Sequence, residues 1–209
     1  MVKEKMGKNA AEAKTYDGQT AKLGAVLLVN MPPLTDVEMQ RLIENPKTVQ
    51  EALFKAFCSR VIQIDRSVPF DPVKLLGQGW TIEEQDECSL ALTQIDLANV
   101  KLESMLKKDE SWIKGEEKLK RLKQAGYIPL DTKVFQTLLE NKVLIPESWK
   151  EKTNGNTTYI FFDGTVLRGP GGHRCVLYLC WSDGRWRWGC DWLGGDWYVS
   201  DPSAVLASK

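Results

Sequence analysis

The stretch WSDGRWRWGCDWLGGDW, residues 181–197, holds five of the eight tryptophans in a chain of 209 residues. Read as β-structure it contains two reversals. Asp183-Gly184 is a strong two-residue type I′ turn signal, and Gly194-Gly195 tolerates the positive φ such a turn needs. Residues equidistant from a turn centre pair across it, so each turn sets a register. Working outward, Asp163-Gly164 supplies an earlier reversal, and Pro170-Gly171, flanked by Gly169 and Gly172, supplies another. Four turns then make a five-stranded antiparallel meander over 157–209. Its registers place Phe161, Val166, Cys175, Trp192 and Trp197 in one row across all five strands.

Strand alternation adds Leu177, Leu179, Trp181, Trp186, Trp188, Cys190 and Val199 to the same face. The other face carries Ile160, Phe162, Leu167, Val176, Tyr178, Cys180 and Tyr198, with Arg174, Arg185, Arg187, Asp191 and Asp196. An apolar face of that size belongs mainly to a core or under helices, because left in water it would be a very large exposed patch. Trp181 and Trp186 flank the Asp183-Gly184 turn and are the rings placed to reach solvent. If the aromatic face is buried, the mixed face around Tyr178, Arg185, Arg187 and Tyr198 becomes the binding candidate.

Upstream, residues 1–22 are polar and lack apolar periodicity, and are expected to be a mobile tail. Pro32-Pro33 precedes a helix expected to begin near Thr35 or Asp36. Val49, Ala52, Leu53, Ala56 and Phe57 follow a 3.6-residue period, the strongest helical pattern in the chain, with Cys58 on the same apolar side. VIQID, 61–65, alternates as a strand, and Pro69 and Pro72 mark a loop. Residues 88–106 fit strand or helix, with strand preferred. EEKLKRLKQAG reads as a helix closed by Gly126, and Asp131 caps a helix through Val134, Phe135, Leu138 and Leu139. The polar segment IPESWKEKTNGN, 145–156, is expected to connect a helical and mixed region, 23–144, to the meander.

Lys plus Arg equals Asp plus Glu at 28 each, so no net field favours phosphate backbones, and nucleic acid is a disfavoured partner. No apolar run approaches the roughly 18–20 residues that span a bilayer, and the N-terminal sequence lacks an apolar signal core. Five cysteines without framework spacing suit a reducing compartment, so the expectation is a soluble cytoplasmic protein with no membrane partner.

Catalytic groups are sparse. His173, the single histidine, lies near Cys175, Cys180 and Cys190, but strand parity turns Cys180 away, so no metal site and no cofactor are expected. His173 follows two glycines at a strand start, where an exposed polar residue is the simpler account than a nucleophilic Cys–His pair. Glu83, Glu84, Asp86 and Glu87, with Asp65, Asp71 and Asp96, could hold a cation for phosphoryl chemistry, though a solvated, charged segment is the commoner cause of such a run. Gly77-Gln78-Gly79 lacks the spacing of a phosphate loop, and the basic face Lys118, Lys120, Arg121, Lys123 is balanced by Glu116 and Glu117.

The segments GWTIEEQDE (79–87), GEEKLKRLK (115–123), IPESWKEKTNGNTTYIFFDGTVLR (145–168) and the tail DPSAVLAS resemble parts of uncharacterised proteins from candidate-phylum bacteria with reduced genomes. That resemblance implies no activity, cofactor or site residue. Here Gly189 and Cys190 stand where those tails vary among aromatic and polar residues, a further reason against a metal.

The expectation is therefore an α+β protein whose aromatic and Arg-bearing C-terminal sheet binds a partner without catalysis. The candidate residues are Trp181, Trp186, Arg185, Arg187, Tyr178 and Tyr198. The partner expected is a protein, with a peptide or carbohydrate as variants. The rival is a metal-dependent hydrolase or nuclease using the carboxylates of residues 65–96.

Overall fold

The computed structural model describes residues 61–207 together with Thr35, Gln40 and Glu44. Gln40 and Glu44 are helical and joined by a 3.0 Å side-chain hydrogen bond, in the region where a helix was expected after Thr35. The tail at 1–22, the periodic segment 49–57 and Cys58 lie outside the described residues. The chain divides into two compact units, Met1–Cys58 and Ser59–Lys209, and the strands and helices of residues 61–207 belong to the second.

VIQID opens this unit as β1 (Val61–Gln63), with Ile62 inward between two exposed neighbours. The proline-rich stretch after it contains a short helix, α1 (Pro72–Leu76), which Asp71 caps through the Val73 and Lys74 amides with Pro72 in the first turn. β2 (Thr81–Gln85) and α2 (Glu87–Leu90) follow, the latter capped by Asp86. Residues 88–106 alternate between states: α2 is helical, β3 (Gln94–Asp96) pairs with β1, a 3-10 turn spans Leu97–Asn99, and β4 (Lys101–Glu103) is extended. Next come β5 (Trp112–Lys114) and α3 (Gly115–Gln124), whose Leu119 and Leu122 face inward and which ends before Gly126 at φ 71°. After β6 (Tyr127–Pro129), α4 (Thr132–Glu140) begins at the expected cap: the buried Asp131 carboxylate accepts from the Lys133 and Val134 amides and pairs with Arg66 at 2.5 Å. The boundary expected at 145–156 falls inside this unit, because Ile145 and Trp149 belong to the main core.

The last strands are β7 (Tyr159–Phe161), β8 (Thr165–Arg168), β9 (Arg174–Ser182), β10 (Arg185–Trp192), β11 (Asp196–Tyr198) and β12 (Ser203–Ala207). They do not form the simple five-stranded meander. β9 is central: β10 lies on one edge, and β7 and β8 lie end to end on the other. β2 continues the sheet beyond β8. β12 runs parallel to β7, which shares that edge of β12 with β6 further along, and β4 lies on the opposite edge.

Three of the four turns account for the difference. Gly164 is buried, its N–H reaching Leu130 O at 2.9 Å and its carbonyl accepting from Asp86 N at 2.9 Å, so Asp163-Gly164 is an internal crossing and not a hairpin tip. At Pro170 the loop is one residue longer than its symmetric centre implied. Gly172 at φ 79° completes a three-residue connection, so Leu167, not Val166, opposes Cys175. That slip exchanges the faces of β8 relative to β9. At Gly194-Gly195 neither glycine takes a positive φ, and β11 leaves to pair with β5. The Asp183-Gly184 turn behaves as expected, with φ 52° and 72° and the register Trp186↔Trp181 through Trp192↔Cys175.

Both faces of β9 are therefore covered. Leu177 and Leu179 join Ile160, Phe162, Leu167 and Trp186 with Val134, Phe135 and Leu138 of α4 in the larger core. Val176 joins Phe161, Val166, Trp197 and Val205 with Leu119 and Leu122 of α3 in the smaller one. Four of the five tryptophans share a face, and Trp197 sits in the opposite core. The architecture is α+β, and no helix among the described residues is long and apolar enough to cross a membrane.

Candidate functional site

The β9–β10 hairpin is held by local sequence: positive φ at Asp183 and Gly184, then alternating side chains that put Trp181, Trp186 and Trp188 on one side and Arg185 and Arg187 on the other. Trp186 anchors the hairpin, being only 8% exposed, and its ring meets that of Trp181 edge-on at 5.4 Å. Trp188 packs an edge against Phe135 of α4 at 6.1 Å yet stays 38% exposed.

Trp181, Arg185, Trp186, Arg187 and Trp188, with Lys142, line one shallow open depression of about 560 Å³. Residues from both faces of β10 share it, so the depression wraps the outer edge of that strand. Lys150 extends the cationic rim, its Nζ standing 4.3 Å from the centre of the Trp181 ring while it pairs with Glu147 at 2.7 Å. Arg187 is held by Asp183 at 2.5 Å, whereas Arg185 has no ion-pair partner among the described residues. Flat rings beside guanidinium and ammonium groups suit a ligand with apolar or aromatic faces and negative charge.

Four of the six residues expected at the site thus converge: Trp181, Trp186, Arg185 and Arg187. Tyr178 does not join them. It lies across Gly189 on the other side of β10, edge-on to Tyr159 and Phe161 at 5.2 and 5.3 Å, and burial pushes its hydroxyl pKa up. Tyr198 stands on β11, exposed, its N–H donating to Asp201 at 2.8 Å. Trp188 shares the parity of Trp186, which the sequence already places on that face. Lys142 and Lys150 come from a segment with no sequence signal linking it to β10.

The acidic candidates are engaged elsewhere. Asp65 turns onto Ser67, whose hydroxyl and amide hold its carboxyl below the ordinary range. Asp71, Asp86 and Asp96 cap helical turns. Glu83 pairs with Arg168 at 2.8 Å, and Glu84 pairs with Arg174 and with Lys123. Glu84, Asp86 and Glu87 do line a cavity of about 260 Å³ together with Asp163, but Lys123 shares it and apolar side chains such as Leu119, Leu122 and Val166 form much of its wall. Among the described residues no three His, Cys, Asp or Glu side chains gather as metal ligands. His173 is exposed with its ring against Trp192 at 5.3 Å, and burial pushes the Cys175 thiol up to about 11, the reverse of an activated nucleophile.

Comparison of the chain with protein-family models, curated proteins and solved structures gives no match.

Proposed function

We propose that this protein is a non-enzymatic interaction module that engages a protein partner through the Trp- and Arg-lined outer edge of β10. The observation that carries the reading is the convergence of Trp181, Trp186, Trp188, Arg185 and Arg187 with Lys142 around a strand edge that has no pairing strand among the described residues. Such an edge offers backbone hydrogen bonds, the rings offer contact area at low entropy cost, and the cations select for charge. A cytoplasmic setting goes with this reading, supported by the free thiols of Cys88, Cys175, Cys180 and Cys190 among the described residues.

The test is selection from a random-peptide display library on the immobilised full-length protein. The expected result is enrichment of extended sequences combining acidic with aromatic or apolar residues. Binding of the selected peptides should fall about tenfold or more in the double variant Arg185→Glu, Arg187→Glu, which leaves the buried rings in place. Absence of enrichment, or peptides indifferent to that variant and to Trp188→Ala, overturns the reading.

A further inference from the structure

We propose that the outer edge of β10 pairs antiparallel with the same edge of a second copy, centred on Trp188, so that two sheets join into one across a two-fold axis. This rests on reading that edge as an interaction surface and names its occupant.

The backbone sets the possibility. The closing pair Ser182↔Arg185 and the bond from Leu193 N to Arg174 O at 2.9 Å show that odd-numbered residues of β10 turn their backbone groups toward β9. Even-numbered residues turn theirs outward. At Trp192 these groups are used: the N–H donates to Asp191 Oδ1 at 2.7 Å, and the carbonyl accepts from Gly195 N at 3.0 Å and Trp197 Nε1 at 3.2 Å. At Trp186, Trp188 and Cys190 they meet no partner among the described residues. Sheet edges are ordinarily guarded by shortness, proline, a bulge or charged side chains, and of these β10 carries only the charges of Arg185, Arg187 and Asp191. β10 is eight residues long, contains no proline, and keeps an unbroken register against β9.

Charge selects the occupant and the register. Outward residues must oppose outward residues, so a two-fold pairing centres on Trp188 or moves by whole residues from it. Centred on Trp188, Arg185 of each copy faces Asp191 of the other. These are non-hydrogen-bonded positions, where side chains approach most closely. Arg187 faces Gly189, and the two Trp188 residues face each other. Centred on Arg187, two like charges would meet. Centred on Gly189, Asp191 would face Arg187, which Asp183 already holds, and Arg185 would face Leu193. Only the first register uses the arginine that has no ion-pair partner among the described residues. A strand with cationic residues at one end and Asp191 near the other is complementary to itself. Pairing would also cover Trp188, which is 38% exposed and lines the depression at this edge.

Sedimentation of the full-length protein in low salt, from about 1 to about 200 µM, tests this. The wild type should show a concentration-dependent dimer. Arg185→Asp alone, and Asp191→Arg alone, should each weaken it at least about tenfold, and the double variant should recover it. Both residues are exposed, and circular dichroism verifies that the variants fold. A wild type monomeric throughout overturns the proposal, as does a dimer indifferent to both reversals, or one lost in Arg187→Asp but kept in Arg185→Asp. If the wild type is monomeric yet captures display-selected peptides in an Arg185-dependent way, the self-pairing fails and the module reading stands. If neither is seen, both fail.

Discussion

At the scale of single residues the most consequential side chain is Lys118. It is wholly buried on α3, yet it is an amine, and its surroundings explain how it is tolerated. Its Nζ donates to the Asp201 carbonyl at 2.7 Å, stands 3.4 Å from Asp163 Oδ2, and lies over the rings of Trp197 and Phe161 at 4.3 and 4.8 Å. Burial pushes its pKa down, and the Asp163 carboxyl works against that shift. Asp163 in turn accepts from the Ser203 hydroxyl, while its second oxygen is buried without a hydrogen bond. One amine therefore ties α3 to the β7–β8 crossing and to the approach to β12. Breaking a buried pair by removing one partner leaves the other uncompensated, so Lys118→Met should cost about 3–5 kcal/mol. Adding Asp163→Asn removes the stranded carboxyl, and the double variant should be less destabilised than Lys118→Met alone. Urea unfolding of the two single variants and the double variant measures the coupling, and strict additivity would show that the pair does not interact.

At the scale of elements, two Asp-Gly dipeptides in one chain do opposite things. Gly184 sits at φ 72° at an exposed tip with nothing within 4 Å of where a Cβ would be. Gly164 takes no positive φ, but a Cβ there would lie 2.4 Å from the Pro129 carbonyl oxygen and 2.9 Å from the Leu130 carbonyl carbon. The first glycine answers a local conformational need, the second a close approach by a distant segment. Gly184→Ala should therefore cost only about 1 kcal/mol, from the left-handed backbone. Gly164→Ala has to displace backbone and should cost about 3 kcal/mol. Thermal melts of the two variants check the order, and an equal or reversed ranking would count against the buried crossing. The same contrast explains what could be read from the sequence. The β9–β10 hairpin, α3, α4 with its Asp131 cap, and the convergence of Trp181, Trp186, Arg185 and Arg187 all follow from residues within about ten positions of one another, on patterns that fix local geometry. The second partner of a strand is a different matter. Nothing near Asp163-Gly164 announces Leu130, nothing near Gly194 announces β5, and nothing near Trp181 announces Lys150. Each depends on a contact whose two halves carry no mutual signal.

At the scale of the molecule, the way strands from both halves interleave decides what can fold. From residue 157 onward the sequence has the turn grammar of an independent β-domain. In the structure β8 needs β2 on its outer edge, β12 needs β4 and β6, and β11 pairs with β5. Both cores also require helices from upstream: α4 supplies Val134, Phe135 and Leu138 to one, and α3 supplies Leu119 and Leu122 to the other. A fragment of residues 157–209 would expose both apolar faces of β9 and several unpaired edges, a composition that aggregates before it folds. The compact unit Ser59–Lys209 retains all of these partners. Expressed separately, residues 59–209 should give one cooperative unfolding transition with dispersed amide resonances. Residues 157–209 should be insoluble or lack a transition, and adding residues 59–156 in trans should restore structure only by supplying β2, β4, β5, β6 and the two helices together. A cooperatively folded 157–209 fragment would mean that the meander grammar suffices by itself, and that the β10 edge is presented by a smaller unit than the interleaved sheet implies.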